Sequence, residues 1–328
     1  MTAILLAGTG AVGVRTARQL LETAGIDRLF VTDRKPERAA ELAAAVNAET
    51  VPFGVIPDGI GAVALALPGD AAVGLAREAI SRGISVAAAS DDDDGIDALL
   101  ALDAAARDRD AIVVVGCGLA PGLADVLARH AADALEGADE VHVSRVGAAG
   151  EACAAALRRA RHERPAEWRE GARRLERRLG PELVWFPDPV GARECLTVAM
   201  GVQLLHDAVP GVTRATVRAA EPPRRPNVFV PRRRDTDDWG AARVEVWGWR
   251  DGVRDALVYG VIERPGVAAG TVLAVAAARV AGALPDVRLR EPGPGSRGLG
   301  ALVEPAPFLA ELARRGVKAA AFEGIAVA

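Results

Sequence analysis

A glycine-rich turn between a short apolar run and an amphipathic stretch constrains this chain more than any other feature. Gly8-Thr9-Gly10-Ala11-Val12-Gly13 fits the spacing GxGxxG, directly after the apolar run 2–7. A helix is predicted over 12–23, with Val14, Ala17, Leu20 and Leu21 on one face. Each glycine has a separate task in a strand–turn–helix of this kind. Gly8 permits the tight turn, Gly10 lets the backbone approach a pyrophosphate, and Gly13 lets helix and strand pack closely. The helix N-terminus then turns its unpaired amides toward the phosphate charge. Asp33 falls 20 residues past Gly13, at the end of the next apolar run, where a carboxylate accepts hydrogen bonds from ribose hydroxyls. Its charge disfavours a 2′-phosphate and favours NAD. Arg34 follows directly and suits a 2′-phosphate or an adenine face, so the cofactor reads as NAD(P)(H), with NAD preferred.

The rest of the first third repeats the same rhythm. Strands are predicted at 28–32, 49–53, 62–67, 85–89 and 111–116, with helices at 36–47, 71–82 and 96–107 between them. Six strands with intervening helices make an α/β, doubly wound parallel sheet, a Rossmann domain over 1–120. After Cys117 the rhythm changes. A helix is expected from Pro121 to about residue 135, a strand at 140–146, and a mostly antiparallel sheet containing 243–249 and 257–262, joined by an Asp251-Gly252 turn. This reads as a second, α+β domain over 121–300 for substrate binding and dimerisation. Residues 151–179 are arginine-rich and helical in parts, 221–239 read as a long charged surface loop, 265–283 as a helix, and 292–300 as a Pro/Gly linker. A C-terminal helical segment over 301–328, with a helix at 306–315, is expected to return toward the first domain.

Composition narrows the class of function. With 40 basic and 44 acidic residues the chain has no excess of positive charge with which to neutralise nucleic-acid phosphates. No apolar run reaches the roughly 18 residues of a membrane span. The stretch 272–284 comes nearest and is interrupted by Arg279. Cys117, Cys153 and Cys195 form no CxxC pair and no disulfide framework, as in a reducing compartment. A soluble cytoplasmic protein is expected, with neither nucleic acid nor membrane as partner. His130, His142, His162 and His206 lack metal-ligand spacing, and no metal site is expected.

The second half of a cofactor cleft comes from the carboxyl ends of later strands, here Leu67-Pro68, Ser90 and Gly118. The acidic run 91–94 opens a helix, where aspartates cap the N-terminus and offset its dipole. The segment from Ser85 through Gly95 to Val115-Gly116-Cys117-Gly118-Leu119-Ala120-Pro121-Gly122-Leu123 resembles the saccharopine dehydrogenase / saccharopine reductase-like superfamily. So does the closing stretch with Pro307-Phe308-Leu309. The resemblance implies hydride transfer at a carbon–nitrogen bond of an amino-acid-like substrate, and pairing of two copies through the second domain. Where saccharopine-forming members carry an aspartate before Pro-Gly this chain has Ala120, and where they carry a second it has Ala124, which weighs against saccharopine itself.

Several residues are candidates for the chemistry. Cys117 and Asp125 are expected near the reacting end of the cofactor, and Asp188 in the second domain, as catalytic groups. Trp185 belongs to a proline-bracketed aromatic segment and Arg193 is a fork for a substrate carboxylate, both as substrate-binding groups. A hydroxy or aldehyde dehydrogenase of the same architecture, and a catalytically silent dinucleotide-binding protein, remain alternatives. The alternation of Val244, Val246 and Gly248 with Glu245, Trp247 and Trp249 predicts a sheet with one tryptophan-bearing face, to be covered in a homodimer.

Overall fold

The computed structural model describes residues 2–177, 179–221, 239–290 and 293–322. The first part alternates β1 (Thr2–Ala7), α1 (Ala11–Leu21), β2 (Ile26–Thr32), α2 (Pro36–Val46), β3 (Glu49–Thr50), β4 (Ile60–Leu65), α3 (Gly69–Ser81), β5 (Ser85–Ala88), α4 (Asp93–Leu100), α5 (Asp103–Asp108) and β6 (Ile112–Val115). The chain continues through α6 (Leu123–Ala132), β7 (Gly137–Val146), α7 (Glu151–His162), β8 (Ala166–Arg169), β9 (Ala172–Leu175), β10 (Glu182–Trp185), β11 (Ala192–Thr197), α8 (Val202–Ala208) and β12 (Arg214–Ala220). It ends with β13 (Gly240–Arg250), β14 (Val253–Glu263), α9 (Pro265–Val280), β15 (Gly295–Gly298), α10 (Leu299–Leu302), α11 (Pro305–Arg314) and β16 (Ala319–Phe322).

The first sheet is parallel throughout, in the order β15-β6-β5-β4-β1-β2-β3. Its central strands are apolar along their whole length because helices cover both faces: Ile4, Leu5 and Leu6 are all fully buried, as are Val63 and Leu65. Helix α9 joins this layer from late in the chain. Gly270 makes that possible: an ideal Cβ there would stand 2.6 Å from Arg15 Cβ, and the Thr16 hydroxyl donates to the Gly270 carbonyl at 3.1 Å.

The second sheet is mixed and mostly antiparallel, in the order β10-β11-β12-β7-β13-β14-β16, with β8 paired to β12 and to β9. Only the β7–β12 pairing is parallel among its described strands. The β13–β14 hairpin closes through Asp251 and Gly252, both at positive φ (51° and 73°), as the Asp-Gly signal requires. The architecture is α/β, as the strand rhythm predicts.

Three local expectations are corrected. The Pro/Gly stretch 292–300 is no linker, because Gly295–Gly298 pairs with Ile112–Val115 as a seventh strand. That pairing runs through backbone groups, which glycine and serine supply as well as valine does. The helix expected at 96–107 breaks at Ala101-Leu102 into α4 and α5. Pro121 lies outside α6 rather than in its first turn: Ala120-Pro121 is cis and Gly122 is the N-cap, at φ 129°. The arginine-rich stretch 151–179 is helical in part, as α7, and adds the hairpin β8–β9. The charged loop expected at 221–239 lies, apart from its two end residues, outside the described residues.

Candidate functional site

The turn after β1 is built around positions that accept no side chain. Gly8 has φ 103°, and an ideal Cβ there would stand 2.3 Å from the Ala66 carbonyl oxygen. At Gly13 it would stand 1.9 Å from the Gly8 carbonyl oxygen. Gly10 is different. It is the N-cap of α1 with extended backbone, and its Cβ direction meets no atom within 4 Å. No side chain caps the helix, and its first internal bond runs from the Val14 amide to the Gly10 carbonyl at 2.9 Å, so the Ala11, Val12 and Gly13 amides have no partner within the helix. The Gly10–Gly13 amides would suit the pyrophosphate of a dinucleotide, which would supply hydride acceptance or donation.

Asp33 sits at the end of β2 and braces the turn. Its carboxylate accepts the Thr9 amide at 2.9 Å, the Thr9 hydroxyl at 2.8 Å and the Lys35 amide at 2.9 Å. Burial alone would raise its pKa, but these bonds and the nearby Arg38 charge hold it below the usual aspartate value. The group is therefore an anion, with part of its acceptor capacity still free for a ribose hydroxyl. Arg34 is exposed beside it.

Across the sheet's carboxyl edge, Leu67 is buried and the exposed Pro68 caps α3. Ser90 is buried, and Asp92 is the N-cap of α4, accepting the Gly95 amide at 2.8 Å. Gly118 accepts the close approach of Pro121, whose carbonyl takes the Gly118 amide at 3.0 Å. Cys117 is fully buried with Sγ 3.5 Å from the Val114 carbonyl, and burial drives its thiol pKa far up. Asp125 is also buried: its carboxylate accepts the Gly122 amide at 2.9 Å, and burial pushes its pKa up to about 7. Both side chains are thus committed to the fold, Cys117 just after β6 and Asp125 in the first turn of α6.

Opposite the glycine turn stand Gly147 and Gly150, which follow β7, and Gly266 in the first turn of α9. An ideal Cβ on Gly150 would lie 3.8 Å, and on Gly266 3.2 Å, from Ala11 Cβ, so both segments abut the start of α1. Between them and the end of β5 stand Arg145, Cys153 and Asp91. Arg145 is buried, and its guanidinium donates to the Ala120 carbonyl, to the Gly147 carbonyl at 3.3 Å and to Cys153 Sγ at 3.3 Å. No sequence signal points to this cluster, because its members lie 54 and 8 residues apart and meet only through the packing of β5, β7 and α7.

Trp185, Asp188 and Arg193 are placed together at the edge of the second sheet, on or beside β10 and β11. Trp185 is 64% exposed and lines a cavity of about 530 Å³ with Trp247, His142, Arg218 and Arg243. Asp188 is exposed, and Arg193 donates to the adjoining Ala192 carbonyl at 2.7 Å. Neither lines that cavity. Among the described residues, no three His, Cys, Asp or Glu side chains are grouped to hold a metal ion, and no helix is long and apolar enough to cross a membrane.

No protein-family model matches the sequence, and no curated protein does. Solved structures do. The apo saccharopine dehydrogenase (L-Glu forming) from Saccharomyces cerevisiae superposes with a TM-score of 0.69 at 12% identity, covering 98% of this chain and 100% of that one. The chain has the saccharopine dehydrogenase fold. DAP dehydrogenase of C. glutamicum, in complex with DAP, matches at TM-score 0.53 and 14% identity over 96% and 98% of the two chains. GenD2 from gentamicin A biosynthesis, in complex with NAD, matches at 0.50 and 14% over 98% and 97%. The likeness to saccharopine dehydrogenase spans both sheets, so the fold is shared as a two-layered whole rather than as a nucleotide-binding half.

Proposed function

We propose that this protein is an NAD(P)-dependent oxidoreductase that transfers hydride at a carbon–nitrogen bond of an amino-acid-like substrate. One observation carries the proposal: Gly8, Gly10 and Gly13 hold an uncapped helix N-terminus open, with the Asp33 carboxylate beside it. The cofactor would lie on Gly8, Thr9, Gly10, Ala11, Val12 and Gly13, reach Asp33 and Arg34 at its adenosine end, and pass Leu67, Pro68, Ser90 and Gly118. The Asp33 anion supports NAD over NADP, and a protein of this fold is known with NAD. Carbon–nitrogen chemistry draws support from the saccharopine dehydrogenase-like segments 85–123 and from the names of two proteins sharing the fold.

The test is nicotinamide absorbance with a panel of 2-oxo acids, with and without amines. Turnover that requires the amine supports the proposal. Turnover without it favours a hydroxy or aldehyde dehydrogenase, and cofactor binding without turnover favours a silent binding protein. The remaining assignments belong to the same proposal: substrate contacts from Trp185 and Arg193, a cytoplasmic home suited to three free thiols, and a homodimer. The dimer is supported by the outer face of β13 and β14, where Trp247 and Trp249 remain 37% and 46% exposed while Val244 and Val246 on the other face are buried.

A further inference from the structure

The buried arginine beside the glycine turn needs an account. Arg145 keeps 3% of its side-chain surface, and a guanidinium so placed is destabilising unless its charge is met. The carboxylate that meets it is Asp91, 3.9 Å away. Cys153 completes the cluster: its sulfur accepts from Arg145 at 3.3 Å, and the Asp91 charge acts on its thiol. Asp91 retains 28% of its side-chain surface and is reachable from solvent. It lies three residues past the end of β5, on the carboxyl edge of the parallel sheet, and Cys153 lies three residues past Gly150, which abuts Ala11. The reacting end of a dinucleotide bound at the glycine turn belongs on this edge.

We propose that Asp91 is the proton-handling group of the site, and that Cys153 and Arg145 are positioning residues for its carboxylate. The inference rests on the oxidoreductase reading above and names its substrate class: a primary or secondary ammonium on a carbon that bears hydrogen. Asp91 takes one proton from the ammonium. The freed nitrogen lone pair forms the C=N bond as the adjacent C–H bond breaks, its electron pair leaving as hydride to the oxidised nicotinamide. The products are an iminium, reduced nicotinamide and protonated Asp91; imine reduction is the reverse. Arg145 stays charged, and burial together with the Asp91 charge pushes the Cys153 thiol up to about 12, so neither competes for the proton at neutral pH. The charged groups facing Cys153 are Asp91 and Arg145.

Two measurements on the full-length protein test this. In the first, iodoacetamide labelling of Cys153 is followed by mass spectrometry at pH 8, with the buried Cys117 and Cys195 as internal comparison. Saturating NADH slows labelling at least about fivefold, and Asp91→Asn speeds it by a similar factor by removing the charge that holds the proton on sulfur. In the second, steady-state turnover of pyruvate with ammonium or methylamine is compared for wild type, Asp91→Asn and Asp91→Glu. Asp91→Asn keeps NADH affinity within about twofold, loses about 100-fold or more in kcat/KM and loses one limb of the pH profile, while Asp91→Glu recovers part of both. Equal turnover and an unchanged pH profile in Asp91→Asn would overturn the proposal. If neither amine turns over, unprotected Cys153 in a protein that binds NADH overturns it instead. Wild type that binds no NADH removes the cofactor reading, an outcome distinct from either.

Discussion

The Thr9 hydroxyl and amide both donate to one oxygen of Asp33, at 2.8 and 2.9 Å. This pair ties the middle of the glycine turn to the end of β2, so the residue that faces a ribose also fixes the shape of the phosphate cradle. Asp33→Ser should therefore do two things. It removes one repulsive charge toward a 2′-phosphate while Arg34 remains, moving preference toward NADP by about tenfold or more, since a bond to a charged group is worth roughly 1.5–3 kcal/mol. It also loosens the turn, weakening both cofactors. Dissociation constants for NADH and NADPH check this, and a wild type that already prefers NADPH would place Arg34 in control.

Gly13→Ala and Gly10→Ala should separate folding from binding. The added methyl meets the Gly8 carbonyl at Gly13 and nothing within 4 Å at Gly10. Forced repacking of this kind costs about 1–3 kcal/mol, so Gly13→Ala lowers the urea midpoint and Gly10→Ala leaves it nearly unchanged. Equal midpoints would mean that helix and strand are not in the close contact described.

Much of this was legible beforehand, and the failures have physical causes. The glycine spacing, Asp33 and the apolar runs of β1, β4 and β6 each reflect a local requirement, a backbone approach or burial on both sheet faces, that residue type alone expresses. Strand β15 does not: Gly295-Ser296-Arg297-Gly298 has no β-branched residue, and its place is set by backbone pairing with Ile112–Val115. Cys117, following β6 directly, reads as a cleft residue, but its side chain is fully buried with the sulfur 3.5 Å from the Val114 carbonyl. Asp91, Arg145 and Cys153 become neighbours only in three dimensions.

Asp125 gives a pH signature of stability. Its folded pKa of about 7 exceeds the unfolded value near 3.8, so between these values the folded chain holds a proton that the unfolded chain has released. Its contribution is full below about pH 4 and is lost as pH rises through about 7. Asp125→Asn keeps an acceptor for the Gly122 amide without the charge, so it flattens this slope and is the more stable protein at pH 8. Urea midpoints at pH 5 and pH 8 decide, and an unchanged slope would show that Asp125 is not the titrating group.

The tryptophan face predicts assembly. Light scattering at micromolar concentration should give twice the chain mass of 33.9 kDa. Glu245→Arg on this face, where Glu245 accepts Arg243 at 2.6 Å, should shift the balance toward monomer. A single-chain mass for wild type would remove the dimer.

The central claim is that the turn after β1 binds a dinucleotide, and Gly10→Val tests it most directly. Gly10 has φ −70° and ψ −171°, a conformation valine adopts readily, and its side chain would fill the empty space before the α1 amides. Energy transfer from the five tryptophans to bound NADH reads occupancy while circular dichroism reads the fold. The account predicts saturable transfer in wild type and none in a folded Gly10→Val protein; undiminished transfer in that folded variant would contradict it.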